Sequence, residues 1–425
     1  MIISTSSGPV SGRNEDGVVG YSGIRYGQLR RGRRFDPVAP FVGKEAQDPR
    51  PLQAVFPQSP SRLRGVMGTA VEDHPQEEDA FLLNIWAPED ASDAPVLIFL
   101  HGGAFVSGGS GVRWYDGGTL AREGKMIVVG VNYRLGALAH LLLDAQDEGN
   151  RALGDLSLAM AWIRDNVAAF GGDPGRITLS GQSAGGFMAK LLAIQPDLRD
   201  GFRGLVIMSS PGIAAADRED ALALSRQLID GLEQDPRDAP IQALLDGQRN
   251  LMMSRKLFGK VGIGLMPTEG GGVPGWLDDA SRVAAELRVD RLLVTATKHE
   301  TTAFFGDAEQ AISYEQLDAL GYPVVARTGA PYWDLIEAST EARFRGPARR
   351  LSEAAALRGI DARFHEITAE SELPHVRGAH GFDTPFLFGN FDDWRDAPML
   401  EGFDRARFER ESKPLRELVI GFVHG

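Results

Sequence analysis

The stretch Arg176 to Ala193, RITLSGQSAGGFMAKLLA, runs a strand-like apolar segment into a turn of small residues and straight out into a helix-like segment. A strand can turn this sharply into a helix only where side chains are small, so Gly181 and Gly185 on either side of Ser183 let the two elements pass. The serine between them sits in a strained turn. The helix amino terminus then directs N–H groups and partial positive charge toward an anion forming at that serine. As five letters, G-x-S-x-G is weak. Its place between an apolar run and a helical one makes Ser183 a candidate nucleophile, the alternative being a glycine-rich turn with an incidental serine.

The surrounding chain alternates strand and helix patterns. FLLNIWAP, PVLIFLHGG and MIVVGVNYRL are continuous apolar runs of strand length, which implies strands covered on both faces, as in a mostly parallel sheet. LGDLSLAMAWIRDNVAAFGGDP has helical spacing, with Leu156, Ala159, Ile163 and Val167 on one face and Gly171, Gly172 and Pro174 to stop it. GLVIMSS, RLLVTATKHE and RFHEITAE read as later strands, so an α/β sheet is expected. The first hundred residues, rich in Gly, Pro and Arg, read as short antiparallel strands and loops. Residues 213–290 form a helical excursion within what reads as one domain spanning 1–425. Arg30, Arg31, Arg33 and Arg34 could contact an anionic ligand, but a solvated turn is the expected role.

A nucleophilic serine needs an oxyanion site, a base and an acid. FLHGGAFVSGG places Gly102, Gly103 and Ala104 just past a strand end, where small residues let backbone N–H groups approach a carbonyl. Of the eight histidines, His380 is favoured as base because glycines flank its dipeptide, marking an exposed loop tip; His375 shares its stretch and His299 lies beside the acid candidate. His140 sits in an apolar run and is expected to be buried. Glu300 ends an apolar strand, where an α/β architecture places a triad acid; a surface ion pair is its alternative.

Composition narrows the partners. The net charge of −13 argues against nucleic acid or an anionic membrane surface. No cysteine is present, which excludes disulfides and a thiol nucleophile and fits a reducing compartment. No secretory signal and no window approaching a membrane span is read, so a cytoplasmic protein is expected. The histidines and carboxylates lack metal-ligand spacing, and PTEGGGVPG lacks the G-K-[ST] of a phosphate loop, so no metal or cofactor is expected. Met252, Met253, Phe258, Met266 and Trp276 could line an apolar pocket, core packing being the blander role. Oligomeric state stays open.

Taken in order, YSGIRYGQLRRGRRF, EDAFLLNIWAP, HGGAFVSG, VGVNYRLGAL, the block Gly149 to Gly186, KHETTAFF and GAHGFDTPFLFGN resemble the type-B carboxylesterases, the family of para-nitrobenzyl esterases and cholinesterases. The resemblance implies an α/β-hydrolase fold: a central, mostly parallel sheet flanked by helices, with small antiparallel strands first and a helical cap-like insertion. It assigns Ser183 as nucleophile, Glu300 as acid, His380 as base, and the N–H groups of Gly103, Ala104 and Ala184 as oxyanion donors. Gln182 and Ser209 would support them from behind. The implied chemistry is hydrolysis of small to medium uncharged esters through an acyl-enzyme, with amide or carbamate hydrolysis, or a silent binding module, as alternatives. Three positions depart from the family: Gln182 replaces its usual Glu, Ala80 its Cys and Arg25 a Pro. The chain also stops early after His380, from which a more open gorge is expected.

Overall fold

The computed structural model describes residues 1–30, 33–47, 52–254, 264–305 and 312–425; Arg31 and Phe258 lie outside them. Strands β1 (Ile2–Thr5) and β2 (Gly8–Ser11) form an antiparallel hairpin, and β5 (Gly27–Gln28) pairs with β6 (Ala39–Pro40). The other nine strands make one sheet. They are β3 (Arg13–Glu15), β4 (Val18–Arg25), β7 (Leu82–Pro88), β8 (Ala94–Leu100), β9 (Ile127–Val131), β10 (Gly172–Gln182), β11 (Gly204–Met208), β12 (Arg291–Thr297) and β13 (Asp361–Ile367). Their order is β13-β12-β11-β10-β8-β9-β7-β4-β3. From β13 to β9 all neighbours are parallel, while β7, β4 and β3 run antiparallel.

The continuous apolar runs are explained by two covered faces. Along β8, Val96, Ile98 and Leu100 pack into one core, and Leu97 and Phe99 into the other. The first core is roofed by the helix Arg151–Asn166, whose Leu156, Ala159 and Ile163 are buried as expected, and by Phe187 and Leu191 of the helix Ala184–Ala193. The second is closed by Phe408, Leu415, Val419 and Phe422 of the helix Arg405–His424. In β7, Leu83 and Ile85 lie in the first core and Trp86 packs against the second, yet that strand is antiparallel. Continuous hydrophobicity reports burial of both faces and carries no information on direction.

Between β11 and β12 the chain makes the helical excursion, with helices Arg218–Asp230, Ile241–Ser254 and Ala280–Glu286. Of the candidate pocket residues, Met266 is core, Met253 is exposed, and Trp276 is partly buried under the Arg282 guanidinium. The Arg34 expectation is corrected. Its guanidinium pairs with Glu78 and donates to the carbonyls of Ala239 and Pro236, stapling the amino-terminal loops to the excursion instead of facing solvent. Arg33 pairs with the nearby Asp36 and is exposed.

Candidate active site

Ser183 sits at the junction of β10 and the helix Ala184–Ala193, with φ 57° and ψ −121°. Such a backbone is strained for a residue with a Cβ and persists only where the surroundings enforce it. They do so here. A Cβ on Gly185 would lie 2.1 Å from the Leu100 carbonyl oxygen, and one on Gly181 would lie 2.3 Å from that of Gly185. The Ser183 N–H donates to the Met208 carbonyl at 2.8 Å, pinning the turn to the end of β11.

The segment after β8 packs against this turn. Gly103 (φ 115°), Ala104 (φ 54°) and Phe105 (φ 65°) are all left-handed, and a Cβ on Gly103 would strike the Ser107 carbonyl oxygen at 1.9 Å. His101 holds the segment from below. It stacks on Tyr133 at 4.6 Å between ring centroids, and its Nδ1 lies 2.8 Å from the Gly102 carbonyl. Burial pushes this imidazole down to about 4, so it is neutral and donates from Nδ1. Among the described residues, none accepts a hydrogen bond from the backbone N–H of Gly103, Ala104 or Ala184. The segment lies close to the serine: a Cβ on Gly102 would sit 3.1 Å from that of Ser183.

The three side chains expected to act together do meet. His380 Nε2 lies 2.7 Å from Ser183 Oγ, and its Nδ1 lies 2.5 Å from Glu300 Oε2. Glu300 is fully buried, which removes the surface ion-pair alternative, and its Oε1 accepts from the Thr297 N–H at 2.8 Å. One expectation is corrected here: His380 is not at an exposed loop tip but 1% exposed. Its backbone N–H donates to the Glu300 carbonyl, and the rings of Phe304 and Phe344 cover its imidazole at 5.1 and 5.2 Å. The glycines around it serve tight folding inward. His140 is buried as expected, while His299 rests beside Glu370 and Trp333.

Gln182 is buried with Nε2 3.4 Å from His380 Nε2. Ser209, at the end of β11, is buried in a left-handed conformation (φ 46°). Sequence reading missed Asp383, a fully buried carboxyl behind the His380–Glu300 pair. Its only sequence signal was an acid inside the apolar run GFDTPFLFG. Burial, and then the neighbouring Glu300 charge, push this carboxyl up to about 6, with Ser209 and His380 pulling it back. The folded state therefore keeps a proton that the unfolded chain releases from about pH 4, so this group makes stability fall as pH rises from about 4 to about 6. Asp383→Asn is expected to gain roughly 3 kcal/mol relative to the parent between pH 4 and pH 7. Urea midpoints across that range test this, and parallel stability curves would refute it.

A mostly parallel sheet with a strained serine between strand and helix, a buried carboxylate just past a later strand and an imidazole on the loop after the last one, defines an α/β-hydrolase. The comparisons narrow the class. The Carboxylesterase family model matches residues 1–233. A probable N-octanoylanthranilate hydrolase of Rhodococcus erythropolis is 31% identical over 99% of this chain and 92% of its own. The para-nitrobenzyl esterase of Bacillus subtilis is 30% identical over 99% of this chain and 88% of its own. The crystal structure of a Geobacillus stearothermophilus carboxylesterase superposes with a TM-score of 0.83 at 27% identity, covering 99% of this chain and 90% of that one. The chain belongs to the carboxylesterase family and is a serine carboxylic ester hydrolase. No helix among the described residues is long and apolar enough to cross a membrane.

Proposed function

We propose that Ser183 is the nucleophile, His380 the base and Glu300 the acid of an esterase acting on small to medium uncharged carboxylic esters. The observation that carries this reading is the unbroken relay from Ser183 Oγ through the imidazole to Glu300. In it, Ser183 Oγ attacks the ester carbonyl carbon as its proton passes to His380 Nε2. The N–H groups of Gly103, Ala104 and Ala184 receive the oxyanion. Collapse breaks the bond to the alcohol, which leaves with the proton from Nε2. Water then repeats the sequence on the acyl-enzyme, releasing the acid and restoring the serine. Glu300 holds the tautomer and stabilises the imidazolium. Gln182 and Ser209 pack behind these groups.

Uncharged substrates are supported by the neutral Gln182 amide beside His380. Similarity to a para-nitrobenzyl esterase supports esters as the class. Hydrolysis of para-nitrophenyl acetate, butyrate and octanoate, run beside a para-nitroanilide, tests the reading. The esters are expected to turn over and the anilide to lag by at least about tenfold in kcat/KM, since a poorer leaving group raises the barrier by more than about 1.4 kcal/mol. An anilide hydrolysed faster than every ester would replace the ester assignment with an amidase one.

A further inference from the structure

The base is held from a side that catalysis itself does not require. After β12 the chain runs through Glu300 into the short helix Thr302–Phe305, then returns as the helix Pro331–Thr340. That helix does not pass directly into Gly346–Leu357. Between them lies a π-helical turn, Glu341–Arg345. A π-turn inserts an extra residue, is rare within α-helices and occurs frequently at functional sites. What this one does is visible in its fourth residue. Phe344 is buried, its ring centroid 5.2 Å from that of His380 at an interplanar angle of 49°. Phe304 lies almost parallel to Phe344 at 6.2 Å and meets the same imidazole at 5.1 Å and 46°.

The turn is anchored on both sides. Arg345, itself buried, pairs with Glu337 and reaches Glu341 at 3.3 Å and Glu366 of β13 at 3.4 Å. Thr301, next to Glu300, bonds through its hydroxyl to Ser339 at 2.8 Å, Thr340 at 3.1 Å and the Ile336 carbonyl at 3.2 Å. The same helix end thus braces the residue after the carboxylate and sets a tilted aromatic ring against the imidazole. Hydrogen bonds with Ser183 and to the Glu300 carboxylate fix the two nitrogens of His380 but leave the ring free to rock about the line joining them. A flat apolar neighbour on a rigid turn removes that freedom.

We infer that Phe344 is a positioning residue for His380, held in place by the π-turn, and that it sets the pose of the base independently of the substrate. The inference rests on the reading of Ser183 and His380 above. Misplacement of a reacting group by about 1 Å costs on the order of 10²-fold in rate. Phe344→Ala is therefore expected to lower kcat by about 10²-fold with KM changed less than about threefold, and by the same factor for para-nitrophenyl acetate and octanoate. Phe344→Tyr keeps the ring and should stay within about fivefold of the parent, while Phe344→Leu, which keeps apolar bulk and guards against a fold too damaged to read, should fall between.

A loss confined to KM, or to the octanoate ester, would make Phe344 a wall of the substrate pocket and overturn the inference. So would a Phe344→Ala or Phe344→Leu enzyme with the parent's kcat, or a Phe344→Tyr enzyme as slow as the Ala variant. Labelling by a fluorophosphonate separates this from failure of the underlying reading. If Ser183→Ala is still labelled and active, the nucleophile assignment falls. If it is inert while the Phe344 variants match the parent, only the positioning role falls.

Discussion

Ser183→Ala is expected to lower kcat for para-nitrophenyl butyrate by roughly 10⁴- to 10⁶-fold while leaving the thermal midpoint near that of the parent. The size follows from what is lost. On the proposed route, without Oγ there is no covalent acyl-enzyme, and the imidazole 2.7 Å away has no hydroxyl to deprotonate. What remains is binding and the oxyanion donors, acting on water. The fold should be indifferent, because the turn is held by backbone: the Ser183 N–H to the Met208 carbonyl, and glycines pressed against the Leu100 and Gly185 carbonyls. Removing Oγ disturbs none of these. A variant with parent-like rates would mean that another group attacks the ester.

The second large effect is on stability and lies away from the serine. Asp155, in the helix Arg151–Asn166, is completely buried and faces an Arg134 that is 1% exposed. The carboxylate accepts from Arg134 Nε at 2.9 Å, from Nη2 at 2.5 Å and from the Arg134 backbone N–H at 3.1 Å. Arg134 Nη1 donates onward to the carbonyls of Arg34 and Asp36. Asp155→Ala leaves a guanidinium with its amino-terminal partners but no counter-charge, in an interior that cannot solvate it. Breaking a buried pair from one side costs about 3–5 kcal/mol, a large part of a typical 5–15 kcal/mol. Urea denaturation should record it, and Arg134→Met combined with Asp155→Leu should recover most of the loss, since removing both charges removes the unpaired one. A loss below about 1 kcal/mol for Asp155→Ala would show that water reaches the cation.

Most of what makes this chain an esterase was legible because it is local. The strand, the turn and the helix around Ser183 follow from apolar spacing and from glycines that only a close backbone crossing requires. Glu300 was singled out because it ends an apolar strand, and His380 because glycines surround it. The reason offered for His380 failed, however: flexibility at an exposed tip and tight packing in a buried loop both call for glycine, and the letters do not distinguish them. Arg34 misled in the same way, since an arginine looks alike whether it faces water or a carbonyl two hundred residues on.

Asp383 and Phe344 belong to a different category. One is a carboxyl raised by burial and then by a charge that arrives from another strand end, the other a ring presented by a π-turn to an imidazole. Neither relation is encoded by a neighbouring residue. By itself the sequence determined the α/β alternation and the serine turn, because period, residue size and glycine conformational freedom act over a few residues. Only the tertiary structure decided the direction of β7, the burial of the base and what presses on it. Those depend on distances between segments brought together when both faces of the sheet are covered.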